Sequence, residues 1–143
     1  MVEHKFLRQF IFITVLVFML DQFTKYLVVR YNPFWKISIF SITLSTNTGA
    51  GFGLLQGKTI WLTLISALVA LGIVMYYRKI PNEKVIQGYS ALFLGGVIGN
   101  LADRIVHHQV IDFITISWWP SFNIADAAIS IAALGMIIYS WKK

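Results

Sequence analysis

Residues 59–77 read TIWLTLISALVALGIVMYY, 19 uncharged residues bounded by Lys58 and Arg78. Roughly 20 mainly apolar residues carry a helix across the hydrocarbon core of a bilayer, so this run predicts a membrane span. Between Lys84 and Asp103 lie 18 more uncharged residues, which predict a span over about 85–103. The 15 between Asp126 and Lys142 are too few alone, so the last span takes in Asp126 and runs over about 123–141. Only 12 separate Arg8 from Asp21. Extended to 9–29, the first span carries Asp21 and Lys25 at or inside the membrane edge. The chain therefore reads as an all-α membrane protein, one integral membrane domain over 1–143 with four transmembrane helices.

Composition agrees with that reading. Of 143 residues, 57% are hydrophobic and 13% charged, outside the usual range of soluble domains. Such apolar content excludes a disordered chain, and the absence of cysteine excludes a disulfide scaffold, a thiol nucleophile and a thiolate metal site. The net charge of +6 is scattered among apolar runs, which argues against a nucleic-acid partner. Leu20-Asp21-Gln22 offers no small-residue cleavage site, so the first apolar segment is read as retained.

Lys5 and Arg8 precede the first span, Arg78, Lys79 and Lys84 join the second to the third, and Lys142 and Lys143 follow the fourth. The positive-inside rule puts this side, and both termini, in the cytoplasm. On the other side, residues 35–46 alternate apolar and polar with a phase slip at Ile39-Phe40, predicting a small extracytoplasmic β element, a short strand pair or a bulged strand. Asn47-Thr48-Gly49-Ala50-Gly51-Phe52-Gly53 reads as a loop. It lacks the Gly-Lys-Ser/Thr ending of a phosphate loop. It is either a flexible turn or a surface exposing backbone groups and Asn47 to a bound peptide.

Four of the six acids, Asp21, Asp103, Asp112 and Asp126, fall at or beside the outer ends of the spans. An acid near hydrocarbon is costly and is by default a functional-site hypothesis; the bland alternative for each is a helix cap or an ion pair. Asp21 and Lys25 are four apart on one helical face and predict an ion pair at the interface. Asn100, Asp103 and Arg104 share one face of the third span. Arg104 either neutralises Asp103 or reaches a carbonyl of something bound, which makes Asp103 a scaffold acid. Asp112 and Asp126 have no nearby base in sequence. Two unpaired acids in one low-dielectric region repel, so one keeps a proton near neutral pH, as an acid–base pair requires. Gly95 and Gly99 read as a close helix-packing pair, and Trp118-Trp119 beside Pro120 as an interfacial belt. His107 and His108 point in different directions with no Glu or Cys nearby, so no metal site is expected.

The blocks Asp21-Gln22-Phe23-Thr24-Lys25, Asn47-Thr48-Gly49-Ala50-Gly51-Phe52, Gly95-Gly96-Val97-Ile98-Gly99-Asn100-Leu101-Ala102-Asp103-Arg104, Val110-Ile111-Asp112-Phe113-Ile114 and Phe122-Asn123-Ile124-Ala125-Asp126 together resemble the bacterial lipoprotein signal peptidase (signal peptidase II) family. The match runs in order across nearly the whole chain. It implies an aspartic endopeptidase of the bacterial inner membrane, with its active site near the outer face. The implied substrates are diacylglyceryl-modified prolipoproteins, cut just before the lipidated cysteine. The resemblance puts the catalytic pair on Asp112 and Asp126, the same two acids. It puts supporting roles on Asp21, Asn47, Gly49, Asn100, Asp103, Arg104 and Asn123, which Lys25 joins through Asp21. No cofactor is expected; membrane lipids surround a monomer. The resemblance departs at Gly51, where members often have Ala, and in the 14-residue step from Asp112 to Asp126, short for the family. Two readings of other classes compete. A proton-coupled transporter or channel would use the acids as a relay, at several depths. A lipid-binding or assembly subunit would tolerate Asp112→Asn.

Overall fold

The computed structural model describes residues 5–50 and 54–142. Gly51, Phe52 and Gly53 of the glycine-rich loop, with Glu3 and Lys143, lie outside the described residues. Four helices and a sheet follow one another as α1 (Leu7–Tyr31), β1 (Phe34–Ile37), β2 (Phe40–Asn47), α2 (Thr59–Met75), α3 (Lys84–His107), β3 (Val110–Ile116), β4 (Trp119–Phe122) and α4 (Ile124–Trp141).

Helix ends explain the boundaries. The α1 helix stops at Asn32, whose left-handed backbone (φ 43°) returns its N–H to Val28 O. The α3 helix stops in the same way at His108 (φ 58°), whose N–H meets Arg104 O. Residues with short polar or ring side chains tolerate this conformation, and it satisfies carbonyls that a helix end leaves open. The start of α4 is fixed by a capping box, in which Asn123 and Asp126 exchange side-chain and backbone hydrogen bonds. Three helices, α1, α3 and α4, are long and apolar enough to cross a membrane. The fourth, α2, is apolar but only 17 residues long, because the run expected over 59–77 leaves the α-helix at Met75 for a tight 3-10 turn, Tyr77–Lys79.

The β element is larger than the sequence reading. The alternating segment is a hairpin of β1 and β2, and Ser38 between them has φ 53°. The strands β3 and β4 extend it to a four-stranded antiparallel sheet in the order β1-β2-β3-β4. The period-two signal fails for β3 because it is a central strand whose first four residues, Val110 to Phe113, are all buried, so polar and apolar positions do not alternate.

The α3 helix packs against all three other helices. Its glycines set the approach. A Cβ on Gly95 would fall 2.8 Å from Val17 Cβ and 2.9 Å from Thr14 O on α1, and one on Gly96 would fall 2.5 Å from Ala125 O on α4. The contact with α4 therefore runs through Gly96 as well as Gly99. At Gly96 the obstacle is backbone, which cannot rotate aside. Gly96→Ala is expected to lower stability in detergent by about 1–3 kcal/mol, as overpacking does, whereas Gly72→Ala, with nothing within 4 Å, leaves it unchanged or raised. Thermal unfolding of the two variants checks this.

Candidate active site

The polar residues singled out from the sequence converge where the helices meet the sheet. From α1 come Asp21, Gln22 and Lys25; from α3, Asn100, Asp103 and Arg104; from β3, Asp112; and from the start of α4, Asn123 and Asp126. Asp21, Lys25, Asn100, Asp103, Asp112 and Asn123 are all buried. Polar groups survive burial only when hydrogen-bonded, and charges only when paired, so their partners define the site.

Lys25 is the centre of one half. Its Nζ lies 2.7 Å from Asp21 Oδ2, 2.8 Å from Asp103 Oδ2 and 3.1 Å from Asn100 Oδ1. The Asp21–Lys25 ion pair expected from the helical spacing is present, buried and shared with a second carboxylate. Asp103 is balanced by Lys25 and accepts the Ile111 N–H at 3.0 Å, tying α3 to β3. Asp21 Oδ1 accepts the Ala125 N–H at 2.9 Å, tying α1 to α4. Gln22 bridges both acids, with Nε2 3.1 Å from Asp21 Oδ2 and 3.0 Å from Asp103 Oδ1. The sequence reading passed over Gln22; its place beside Asp21 and three before Lys25 was the available signal.

The other half holds Asp112 and Asp126. Asn123 Nδ2 donates to Asp112 Oδ1 at 2.8 Å and to Asn100 Oδ1 at 3.1 Å, and Asn100 Nδ2 donates to Asp126 Oδ1 at 2.7 Å. Two amides therefore link the two carboxyls. Burial, reinforced by the nearby Asp126 charge, pushes the Asp112 carboxyl up to about 7, against the pull of Lys25, Asn47 and Asn123.

A cleft of about 600 Å³ opens beside the pair. Asp126, Asn100 and Arg104 line it with Asn47 at the end of β2, Gly49 of the β2–α2 connection, Leu62 and Ser66 of α2, and the β4 stretch from Trp119 to Phe122. Asp112 sits behind this wall, joined to the lining residue Asn100 through Asn123. Arg104 does not turn to Asp103. Its guanidinium donates to Gly49 O at 3.3 Å and reaches Ser66 Oγ at 3.5 Å. Asn47 closes the turn on itself, its Oδ1 accepting the Gly49 N–H at 2.8 Å. Ser66 and the β4 wall were not anticipated; a serine inside an apolar helix was the only hint.

Two outcomes follow. Lys25→Met leaves two buried carboxylates without their cation and is expected to cost about 3–5 kcal/mol, read as a large drop in unfolding temperature. For Asp112, an ordinary carboxyl near 3.8 in the unfolded chain and about 7 in the fold, the native state retains a proton that the unfolded state loses between those values. Its stabilisation is whole below the lower value and is lost as pH rises through the upper one. Asp112→Asn cannot ionise, so it raises the unfolding temperature at about pH 8 and leaves it nearly unchanged at about pH 4; unfolding scans at the two pH values check this.

Comparison with known proteins places the chain in one family. The family model described as "Signal peptidase (SPase) II" matches residues 13–142. A lipoprotein signal peptidase of Moorella thermoacetica is 38% identical over 139 residues, covering 93% of this chain and 91% of that protein. One of Alteromonas mediterranea is 36% identical over 147 residues, covering 94% and 81%. A bacterial membrane enzyme solved by the in meso method at 2.3 Å superimposes with a TM-score of 0.89 at 29% identity, covering 96% of this chain and 90% of that one. A second, solved at 1.9 Å, gives 0.85 at 29% identity over 96% of each chain. The chain belongs to the signal peptidase II family.

Proposed function

We propose that this protein is a membrane aspartic endopeptidase that removes the signal peptide from diacylglyceryl-modified prolipoproteins, cutting just before the lipidated cysteine. The observation that carries the reading is the linkage of two carboxyls, Asp112 and Asp126, through Asn123 and Asn100 beside a cleft of about 600 Å³. The name of the relatives, lipoprotein signal peptidase, supports the substrate class.

The chemistry needs one carboxylate and one carboxylic acid. A water held between Asp112 and Asp126 gives a proton to the ionised member while its oxygen attacks the scissile carbonyl carbon. The protonated member donates to the carbonyl oxygen, and a tetrahedral diol forms. A proton then passes to the amide nitrogen, the C–N bond breaks, and the products are the carboxylate of the signal peptide and the amine of the lipidated cysteine. Asp21, Lys25, Asn100, Asp103 and Asn123 hold the pair in register. Arg104, Asn47 and Gly49 present polar groups to the substrate backbone along the cleft. Neither metal nor organic cofactor enters the reaction.

The chain is one integral membrane domain that crosses the bacterial inner membrane four times, over about 9–29, 59–77, 85–103 and 123–141. Both termini are cytoplasmic and the pair lies near the outer face. Beyond the end of α2, Tyr76 and Tyr77 carry the span into the cytoplasmic interface, where tyrosine is favoured. At the outer face water reaches the site while the substrate's acyl chains remain in the bilayer, and a monomer suffices.

The test is cleavage of a diacylglyceryl-modified prolipoprotein by the purified protein. Wild type is expected to cut before the modified cysteine. Asp112→Asn and Asp126→Asn are each expected to lose about 10²–10⁴-fold in kcat/KM while unfolding cooperatively. Near-normal turnover in either variant would overturn the assignment.

A further inference from the structure

We infer that Lys25, acting through Asn100, is a positioning residue that keeps Asp126 as the ionised member of the pair and leaves the shared proton on Asp112. This rests on the aspartic reading of the pair and goes beyond it, since that reading is symmetric in the two acids.

An ammonium has three N–H donors and no acceptor. The three of Lys25 meet Asp21 Oδ2, Asp103 Oδ2 and Asn100 Oδ1 at 2.7, 2.8 and 3.1 Å, so all are committed. Asn100 must present oxygen to Lys25; reversed, its amide would set N–H against N–H. Its nitrogen is therefore forced toward Asp126, where it donates to Oδ1 at 2.7 Å. The other oxygen of Asp126, Oδ2, faces the Asn123 backbone N–H at 3.3 Å. Both oxygens thus face N–H donors, which favours the carboxylate.

Asp112 is placed differently. Asn123 cannot reverse either, because its Oδ1 accepts the Asp126 N–H at 2.9 Å. Its Nδ2 therefore faces Asp112 Oδ1 at 2.8 Å. The Asn47 amide also faces Asp112, but its nitrogen is shared with Ala50 O at 3.4 Å. Around the pair stand Asp21 and Lys25 from α1 and Asp103 and Arg104 from α3, so with Asp112 and Asp126 four carboxyls meet two cations, and a retained proton relieves the excess. Asp112 is 1% exposed and stands back from the cleft that Asp126 lines, and a carboxylate held away from water is the costlier one to ionise.

The experiment labels the aspartate side-chain carbonyls with carbon-13 and follows their resonances with pH by NMR in detergent micelles. The chain has four aspartates, and each line of the pair is assigned by its loss in Asp112→Asn or Asp126→Asn. In the wild type, the Asp112 line is expected to titrate near 7, with the Asp126 line already that of a carboxylate at lower pH. Asn100→Ser retains an acceptor for Lys25 but loses the amide donor to Asp126. It is expected to make the Asp126 line titrate with that of Asp112 and to move the acid limb of the pH–rate profile up by about one unit. Its kcat falls about 10- to 100-fold with KM within about twofold, the loss of one charge-assisted hydrogen bond. Lys25→Met is expected to do the same where it folds. An Asp126 line titrating near 7 with Asp112 ionised throughout overturns the inference. So does an Asn100→Ser variant that loses rate with both titrations and the pH profile unmoved. The resonances are read without turnover, so an inactive wild type would sink the peptidase reading and leave the proton assignment separately decided.

Discussion

A buried ammonium sets the terms for the rest of this molecule. Lys25 is 2% exposed, and removing such an ion from water costs several kcal/mol unless opposite charge and hydrogen bonds replace the hydration shell. The replacement requires carboxylates from two helices, Asp21 and Asp103. Each carboxylate then accepts a backbone N–H elsewhere, Asp21 from Ala125 at the start of α4 and Asp103 from Ile111 on β3. The charges that satisfy Lys25 therefore also fix where Asn123 and Asp126 stand relative to Asp112. Gly99, whose Cβ would lie 2.6 Å from Asp21 Oδ2, keeps the room this arrangement needs.

Much of this was legible in the chain because the bilayer imposes a coarse rule. Long uncharged runs interrupted by isolated acids mark helices, and acids that the runs do not exclude mark chemistry. Asp112 stood out because no base lies near it in sequence, and the structure gives it amides rather than cations as direct partners. What stayed hidden depends on tertiary geometry. Lys25 pairs with Asp21 at the expected helical spacing, but its second carboxylate, Asp103, lies 78 positions away on another helix. The Arg104 guanidinium turns toward α2 and the Gly49 carbonyl, a choice that adjacency to Asp103 cannot reveal. The strand β3 escaped because burial of successive residues erases alternation, and Asp112 within it drew attention as chemistry rather than as strand; β4 escaped because it is only four residues, one of them Pro120. The end of α2 at Met75 is likewise not encoded by charge, since the uncharged run continues to Tyr77.

The proposed chemistry uses a setting that is dry behind and open in front. Asn100, Asn123 and the Lys25 cluster exclude water on one side of the pair, while the cleft past Asp126 admits it on the other. Asp126 occupies the first turn of α4, where backbone N–H groups and the helix dipole favour a negative charge. Asp112 sits on a strand, without that help. In the proposed assignment of the proton, the helix start and the strand that carry these two chemically identical side chains supply the asymmetry an acid–base pair needs.

Direct attack by water is the central claim, and a buried lysine makes a covalent route through a serine the chemical rival. All three N–H donors of Lys25 are spent on Asp21, Asp103 and Asn100, which leaves no free amine to activate a hydroxyl. Intact-mass spectrometry of the protein, quenched at intervals during a single turnover of a diacylglyceryl-modified prolipoprotein, tests the claim most directly. The account predicts released signal peptide with the mass of the protein unchanged at every interval. A transient gain equal to the acyl mass of the signal peptide, on Ser66 or any other hydroxyl, would contradict it.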